Sequence, residues 1–315
     1  MTPRAVGERI PYAALPQHVQ HWVGSELGSP VIEAAAQTGG MSPGPAARLR
    51  LADGRRYFVK AVGQEMNPGT PPLFRHEIEV LRRLPPVAYR ASLVSAYDDG
   101  DWVALILDDV DGHHPNLTDP AELAAARGVI REQSRELTPD PVRIDSETLG
   151  GSVSRWLAEI RGVEPRVRDL LPRWWLAHEA ALLARLATLP ERLPGESWCH
   201  LDVRDDNLLV RADGSAVILD WGMSRPGPPW VDEVLLDLHD VTVPVFDRRA
   251  ARIPAYGVPS DHGREQTVTD LVLALGMSLA VISHHPPPPG LPRLMSFRRA
   301  ESHRLLVGAR RRLGL

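Results

Sequence analysis

The prevailing spacing of the apolar residues changes near residue 110, and this change limits the fold more than any other feature. Before it lie short runs rich in β-formers, punctuated by glycine turns. Residues 31–63 read as a meander. Val31-Ile32 leads into a turn at Thr38-Gly39-Gly40-Met41-Ser42-Pro43-Gly44, and Ala47 to Leu51 precedes a second turn at Asp53-Gly54. Tyr57-Phe58-Val59-Lys60-Ala61-Val62 follows. Asp-Gly between two such runs is a hairpin signal, which puts Lys60 in a third strand. Thr70 and Pro71 open a helix that stops at Pro85-Pro86. Phe74, Ile78 and Leu81 share one stripe of it with Glu77, whereas Glu79 is rotated away. A continuous apolar strand, Trp102 to Leu107, runs into the polar crossing Asp108-Asp109-Val110-Asp111-Gly112. Beyond the crossing the spacing is helical, at about 119–137, 152–161, 170–189, 232–240, 263–284 and 293–313. One hairpin interrupts it, 207–210 with 216–219 about Asp213-Gly214. The expectation is an α+β chain: a small β-rich lobe over 1–111 with a hinge at 107–112, and a larger, mainly helical lobe over 112–315.

At 315 residues the chain is too long for a lone small binding module. Its net charge of −4 lacks the positive field that nucleic-acid binding needs. The longest apolar run, Leu271 to Ile282, covers about half of a bilayer span and is interrupted by Gly276 and Ser278. With the single cysteine Cys199 and no signal-type apolar stretch near Met1, the expectation is a cytoplasmic protein with no membrane partner and no obligate protein partner. Of the 36 basic residues, 35 are arginine and one, Lys60, is lysine. In so biased a chain an exposed lysine drifts easily to arginine. A retained one suits a tight site for a phosphate oxygen, where a slim stem fits and a broad fork does not; the alternative is a chance survivor on the surface.

The densest polar cluster is Cys199-His200-Leu201-Asp202-Val203-Arg204-Asp205-Asp206-Asn207, directly before the hairpin, with Asp220 at the far end. Antiparallel pairing brings Asn207 and Asp220 together and leaves Asp202 beside them. Two oxygen ligands with waters and phosphates suit Mg²⁺, and Asp202 is left to act on a hydroxyl. Asp205 and Asp206 read as solvated or capping carboxylates.

His-x-Asp-x4-Asn followed by Asp220-Trp221-Gly222 resembles the aminoglycoside phosphotransferases and related small-molecule kinases, which share the protein-kinase-like fold. The likeness runs from Thr38 to about Asp240. It implies an ATP-dependent transfer to a small-molecule hydroxyl, with ATP and Mg²⁺ as cofactors. Asp202 is then the base, Asn207 and Asp220 the magnesium ligands, and Lys60 the phosphate clamp held by Glu77. The carbonyl of Asp108 and the amide of Val110 would read adenine. Arg204 would place positive charge on the transferring phosphoryl or simply pair with Asp205 or Asp206, and His200 would brace the loop. The glycine loop of protein kinases is not matched, and Pro43 removes an amide that Ser42 could replace. Trp221 stands where protein kinases have phenylalanine, and no Ala-Pro-Glu segment follows, which favours small acceptors over proteins. An antibiotic acceptor is the first expectation and a sugar, choline-like alcohol or nucleoside the second; an inactive nucleotide-binding scaffold is a remote third. Residues 101–150 carry a net −7 and 290–315 a net +6. Either run could meet a charged acceptor or be a solvated face, the commoner case.

Overall fold

The computed structural model describes residues 9–37, 39–252 and 263–315; Thr38, the first residue of the glycine turn, lies outside them. Helix α1 (Gln17–Leu27) precedes strands β1 (Val31–Ala36), β2 (Ala46–Leu51) and β3 (Arg56–Gly63), followed by α2 (Thr70–Arg83), β4 (Leu93–Asp98) and β5 (Trp102–Asp108). The five strands form one antiparallel sheet in the order β1-β2-β3-β5-β4. Lys60 therefore sits on the central strand, opposite Ala46 on one side and Leu105 on the other. The expected meander and helix are both present. Two elements beyond them complete the lobe. Helix α1 buries Val19, Val23 and Leu27 against the sheet and ends at Gly28, whose φ of 62° is a left-handed cap. Edge strand β4 is mostly half-buried and its Leu93-Val94-Ser95-Ala96-Tyr97-Asp98 shows no clean apolar alternation, so its pattern is faint.

The chain then crosses to the helical lobe: α3 (Pro120–Glu136), α4 (Leu149–Arg161), α5 (Pro165–Arg168), α6 (Arg173–Leu186), β6 (Ser197–Cys199), β7 (Leu208–Val210), β8 (Ala216–Ile218), β9 (Arg225–Gly227), α7 (Val231–Asp237), α8 (Pro244–Ala250), α9 (Arg264–Ile282) and α10 (Leu294–Leu313). The helix expected at 170–189 is α6, which starts only at Arg173 because Pro172 before it is extended, and the short α5 precedes it. Helix α4 starts three residues early, where Thr148 caps it through Gly151 N–H. Strands β7 and β8 pair as the expected hairpin, while Asn207 closes a short 3-10 turn just before β7.

Besides the packing of α1 on the sheet, two large cores hold the described residues together. One packs α4, α6, α7 and α9 with α10 around Trp175 and Phe246. The other joins the lobes: Phe74 and Ile78 of α2 and Val62 of β3 share it with Trp198, Leu208 and Trp221. One helical stretch among the described residues, Glu265–Ile282, is long and apolar enough to cross a membrane by length and composition. It is mostly buried in the helical core.

Candidate active site

A cleft of about 1880 Å³ lies between the lobes, and the residues singled out from the sequence converge on it. Its roof is the glycine turn. Gly40 has φ 86°, and a Cβ on Gly44 would fall 1.7 Å from the Ala61 carbonyl oxygen, so only glycine lets the turn press onto β3 beside Lys60. The Ser42 hydroxyl lies in this turn, buried and without a hydrogen-bond partner.

Lys60 forms an ion pair with Glu77 and reaches Asp220 Oδ1 at 3.2 Å. Only 7% of Lys60 and 1% of Glu77 are exposed, so the pair belongs to the interior. A survivor on the surface is ruled out. Burial opposes the ammonium charge, but Asp220 and Glu77 outweigh it and hold Lys60 above the usual lysine range. Burial also pushes the Glu77 carboxyl up, partly offset by Lys60. Glu77 accepts from the Trp221 amide at 3.3 Å, so one carboxylate joins α2, β3 and the Asp-Trp-Gly turn.

Below, the loop from His200 to Asn207 is fixed by hydrogen bonds. His200 accepts from the Asp202 amide through Nδ1, so Nε2 donates to the Leu219 carbonyl, at 2.8 Å. This is the expected brace. Leu201 (φ 61°) and Asp220 (φ 62°) hold left-handed conformations, which aim the loop and the turn at the cleft. Burial raises the Asp202 carboxyl above the usual aspartate range, against the pull of Arg204. Loss of hydration in the cleft acts the same way on Asp220, but its side chain remains open to solvent and there Lys60 prevails, so the carboxyl stays below the ordinary range. Asn207 donates through Nδ2 to the carbonyl and to Oδ2 of Asp202, both at 2.8 Å, which leaves its Oδ1 as the available oxygen. Arg204 binds Asp202 Oδ1 at 2.8 Å and Asp206 Oδ1 at 2.9 Å, so the ion-pair reading holds in this structure, with Asp206 buried rather than solvated.

Asp108 ends β5 and Val110 lines the same cleft. Arg56 pairs with Asp109 and Asp111, and Arg48 donates to the Val110 carbonyl at 2.9 Å, so much of the acidic crossing is neutralised by the sheet above it. Gly112 is required: a Cβ there would meet the Val210 carbonyl at 2.8 Å.

A family model described as the phosphotransferase enzyme family matches residues 45–253, about two thirds of the chain. The chain belongs to that family. Its members' fold is evident in solved structures. A GDP-bound aminoglycoside 2′-phosphotransferase-IIIa is 16% identical with a TM-score of 0.63, covering 93% of this chain and 98% of that one. A choline kinase from Streptococcus pneumoniae is 13% identical with a TM-score of 0.61, covering 93% and 98%. An aminoglycoside phosphotransferase from Alicyclobacillus acidocaldarius is 15% identical with a TM-score of 0.55, covering 90% and 92%. These likenesses make the architecture the two-lobed protein-kinase-like fold. No curated protein matches the chain.

Three residues of this phosphotransferase cleft carry no motif. Asp232 at the start of α7 is 2% exposed and accepts from the His200 amide at 2.7 Å, the Leu201 amide at 2.9 Å and Gln133 Nε2 at 2.9 Å. It holds the catalytic loop from behind; an acid inside Trp230-Val231-Asp232-Glu233-Val234 was its signal. Arg9 reaches under the turn to the Gly39 carbonyl, and Arg298 faces the cleft from α10.

Proposed function

We propose that this phosphotransferase moves the γ-phosphoryl group of ATP to a hydroxyl of a small molecule. The observation that carries the reading is that Lys60, Glu77, Asp202, Asn207 and Asp220, drawn from separate elements, converge on one cleft with linked ion pairs and hydrogen bonds. In it, residues 1–111 form the nucleotide lobe and 112–315 the catalytic and acceptor lobe.

Adenine lies against the crossing, with the Asp108 carbonyl and the Val110 amide as its partners, as in kinases of this fold. Ser42, whose hydroxyl is buried and unpartnered, and Lys60 receive the phosphates. Asn207 Oδ1 and the ionised Asp220 fit Mg²⁺: both are hard oxygen donors, and two suffice for an ion that keeps waters and phosphate oxygens. Bound there, Mg²⁺ would neutralise charge on the phosphates. Asp202 accepts the proton as the acceptor O–H bond breaks. The new bond joins that oxygen to the γ-phosphorus, and the bond to the β–γ bridging oxygen breaks with its electron pair leaving on ADP. Arg204, held above the usual arginine range by Asp202 and Asp206 against burial, keeps a fixed charge beside the base.

An antibiotic is the first acceptor class and a metabolic alcohol the second; relatives of the fold include both an aminoglycoside phosphotransferase and a choline kinase. The inactive-scaffold alternative fits poorly with a complete lysine, base and metal aspartate. Acceptor-dependent ADP release with Mg·ATP, across aminoglycosides, other antibiotics, sugars, nucleosides and amino alcohols, tests the reading. No release with any acceptor, together with no binding of Mg·ATP, would overturn it.

A further inference from the structure

The acceptor half of the cleft has a charge inventory of its own. Its carboxylates already have partners. Asp206 is held by Arg204, Asp240 by Arg249 at 2.8 Å, and Glu301 by Arg304 at 2.6 Å, while Asp205 is also engaged. A polycation entering here would have to break these pairs. The face of Phe297 is taken as well, since the Arg204 guanidinium lies 5.6 Å from the centre of its ring.

The opposite sign is left over. On α10, Leu294, Arg298 and Glu301 face the cleft at helical spacing, one residue from Phe297. Arg298 is half-buried and makes no ion pair or hydrogen bond among the described residues. Burial holds it below the usual arginine range with no carboxylate opposing the shift. An uncompensated guanidinium at such depth costs free energy that an incoming anion would relieve. On α9, the helix packed against α10, Leu271, Leu275 and Leu279 fall four apart and, with Leu235, make an apolar wall of the same cleft.

We propose that the acceptor is an alcohol with a hydrocarbon body and an anionic group, the body lying on the α9 leucines and the anion meeting Arg298. The proposal rests on the phosphotransferase reading and narrows its acceptor: an antibiotic acceptor is then not an aminoglycoside.

The test is calorimetric titration of the full chain holding Mg·ADP with three ten-carbon probes, 10-hydroxydecanoate, 1,10-decanediol and 10-amino-1-decanol, and with kanamycin. 10-Hydroxydecanoate is expected to bind at least about tenfold more tightly than the diol, as one charge-assisted contact gives, and more tightly still than the amine or kanamycin. Arg298→Met, which removes a buried charge and keeps the bulk, should make the acid and the diol equal. Arg298→Glu should turn the preference toward the amine. Tighter binding of the amine or kanamycin to the wild type, no binding of the acid, or an acid preference surviving Arg298→Met each overturns the proposal. So does a weaker Kd for Mg·ADP in Arg298→Met, which would put the arginine on nucleotide phosphates. Failure of the wild type to bind Mg·ADP overturns the kinase reading itself, whereas normal nucleotide binding with the wrong probe order overturns only the acceptor class.

Discussion

The two halves of the cleft handle charge in opposite ways. In the nucleotide half one cation, Lys60, is shared by two carboxylates from different elements, Glu77 on α2 and Asp220 after β8. In the acceptor half carboxylates are matched by arginines, and among the described residues Arg298 is left unmatched. A shared cation leaves donors and oxygens for phosphate and metal, which suits a ligand common to a whole family. A neutralised wall with one spare charge selects by the sign and shape of a particular acceptor.

Changes that remove the chemistry without disturbing either half should have the largest effect. Asp202→Ala is expected to lower kcat by about 10³-fold, the scale of a lost general base, while Mg·ATP binding stays within about twofold. Unchanged turnover would remove Asp202 from its role. Since the base must be ionised, activity should fall with decreasing pH through the raised Asp202 range, above that of an ordinary aspartate. A pH–kcat/KM profile flat down to the ordinary range would contradict this.

Next comes the shared cation. Lys60→Arg keeps the charge but widens the head group, and turnover should fall about 10²-fold. An ion pair at a cleft rim would contribute little to stability, but this pair is buried. Lys60→Met should therefore cost on the order of 3 kcal/mol in urea unfolding, less at acid pH where Glu77 takes up a proton. Equal stability of wild type and Lys60→Met at neutral pH would show that the buried pair is not structural.

Asp232→Ala leaves the buried His200 and Leu201 amides without their acceptor, at about 2 kcal/mol, and kcat should fall with it as the loop loosens. Stability lost without any change in kcat would separate the brace from the chemistry. Two residues before Glu77 on the same helix, Arg75 pairs with Asp98 in solvent, and Arg75→Ala should change stability by less than about 0.5 kcal/mol, vanishing at high salt.

The contrast also decides what the sequence could reveal. Local spacing sets the direction of Lys60 on its strand and Glu77 on its helix stripe and brings Asn207 and Asp220 together at one end of the hairpin, whereas the meeting of these two groups, 160 residues apart, is legible only through the family resemblance. Asp232, Arg9 and Arg298 act across the fold, and no local period marks which acid or arginine will face the cleft. Neither α1 nor β4 is among the elements expected from the sequence: Val19, Val23 and Leu27 mark α1 by only one residue per turn, and the mixed Leu93 to Asp98 of β4 takes its place from pairing with β5.

Trp221, in the turn after Asp220, is 1% exposed, stacked under Arg90 at 5.2 Å and tied by its amide to Glu77. In protein kinases the packing of the aromatic residue at this place sets the active and inactive states. Turning an indole out of this core would expose roughly 200 Å², about 5 kcal/mol, so the turned-out state would hold on the order of one molecule in several thousand. At that population the turn is expected to stay in the one arrangement, and a signal that acted by flipping it would have almost nothing to act upon.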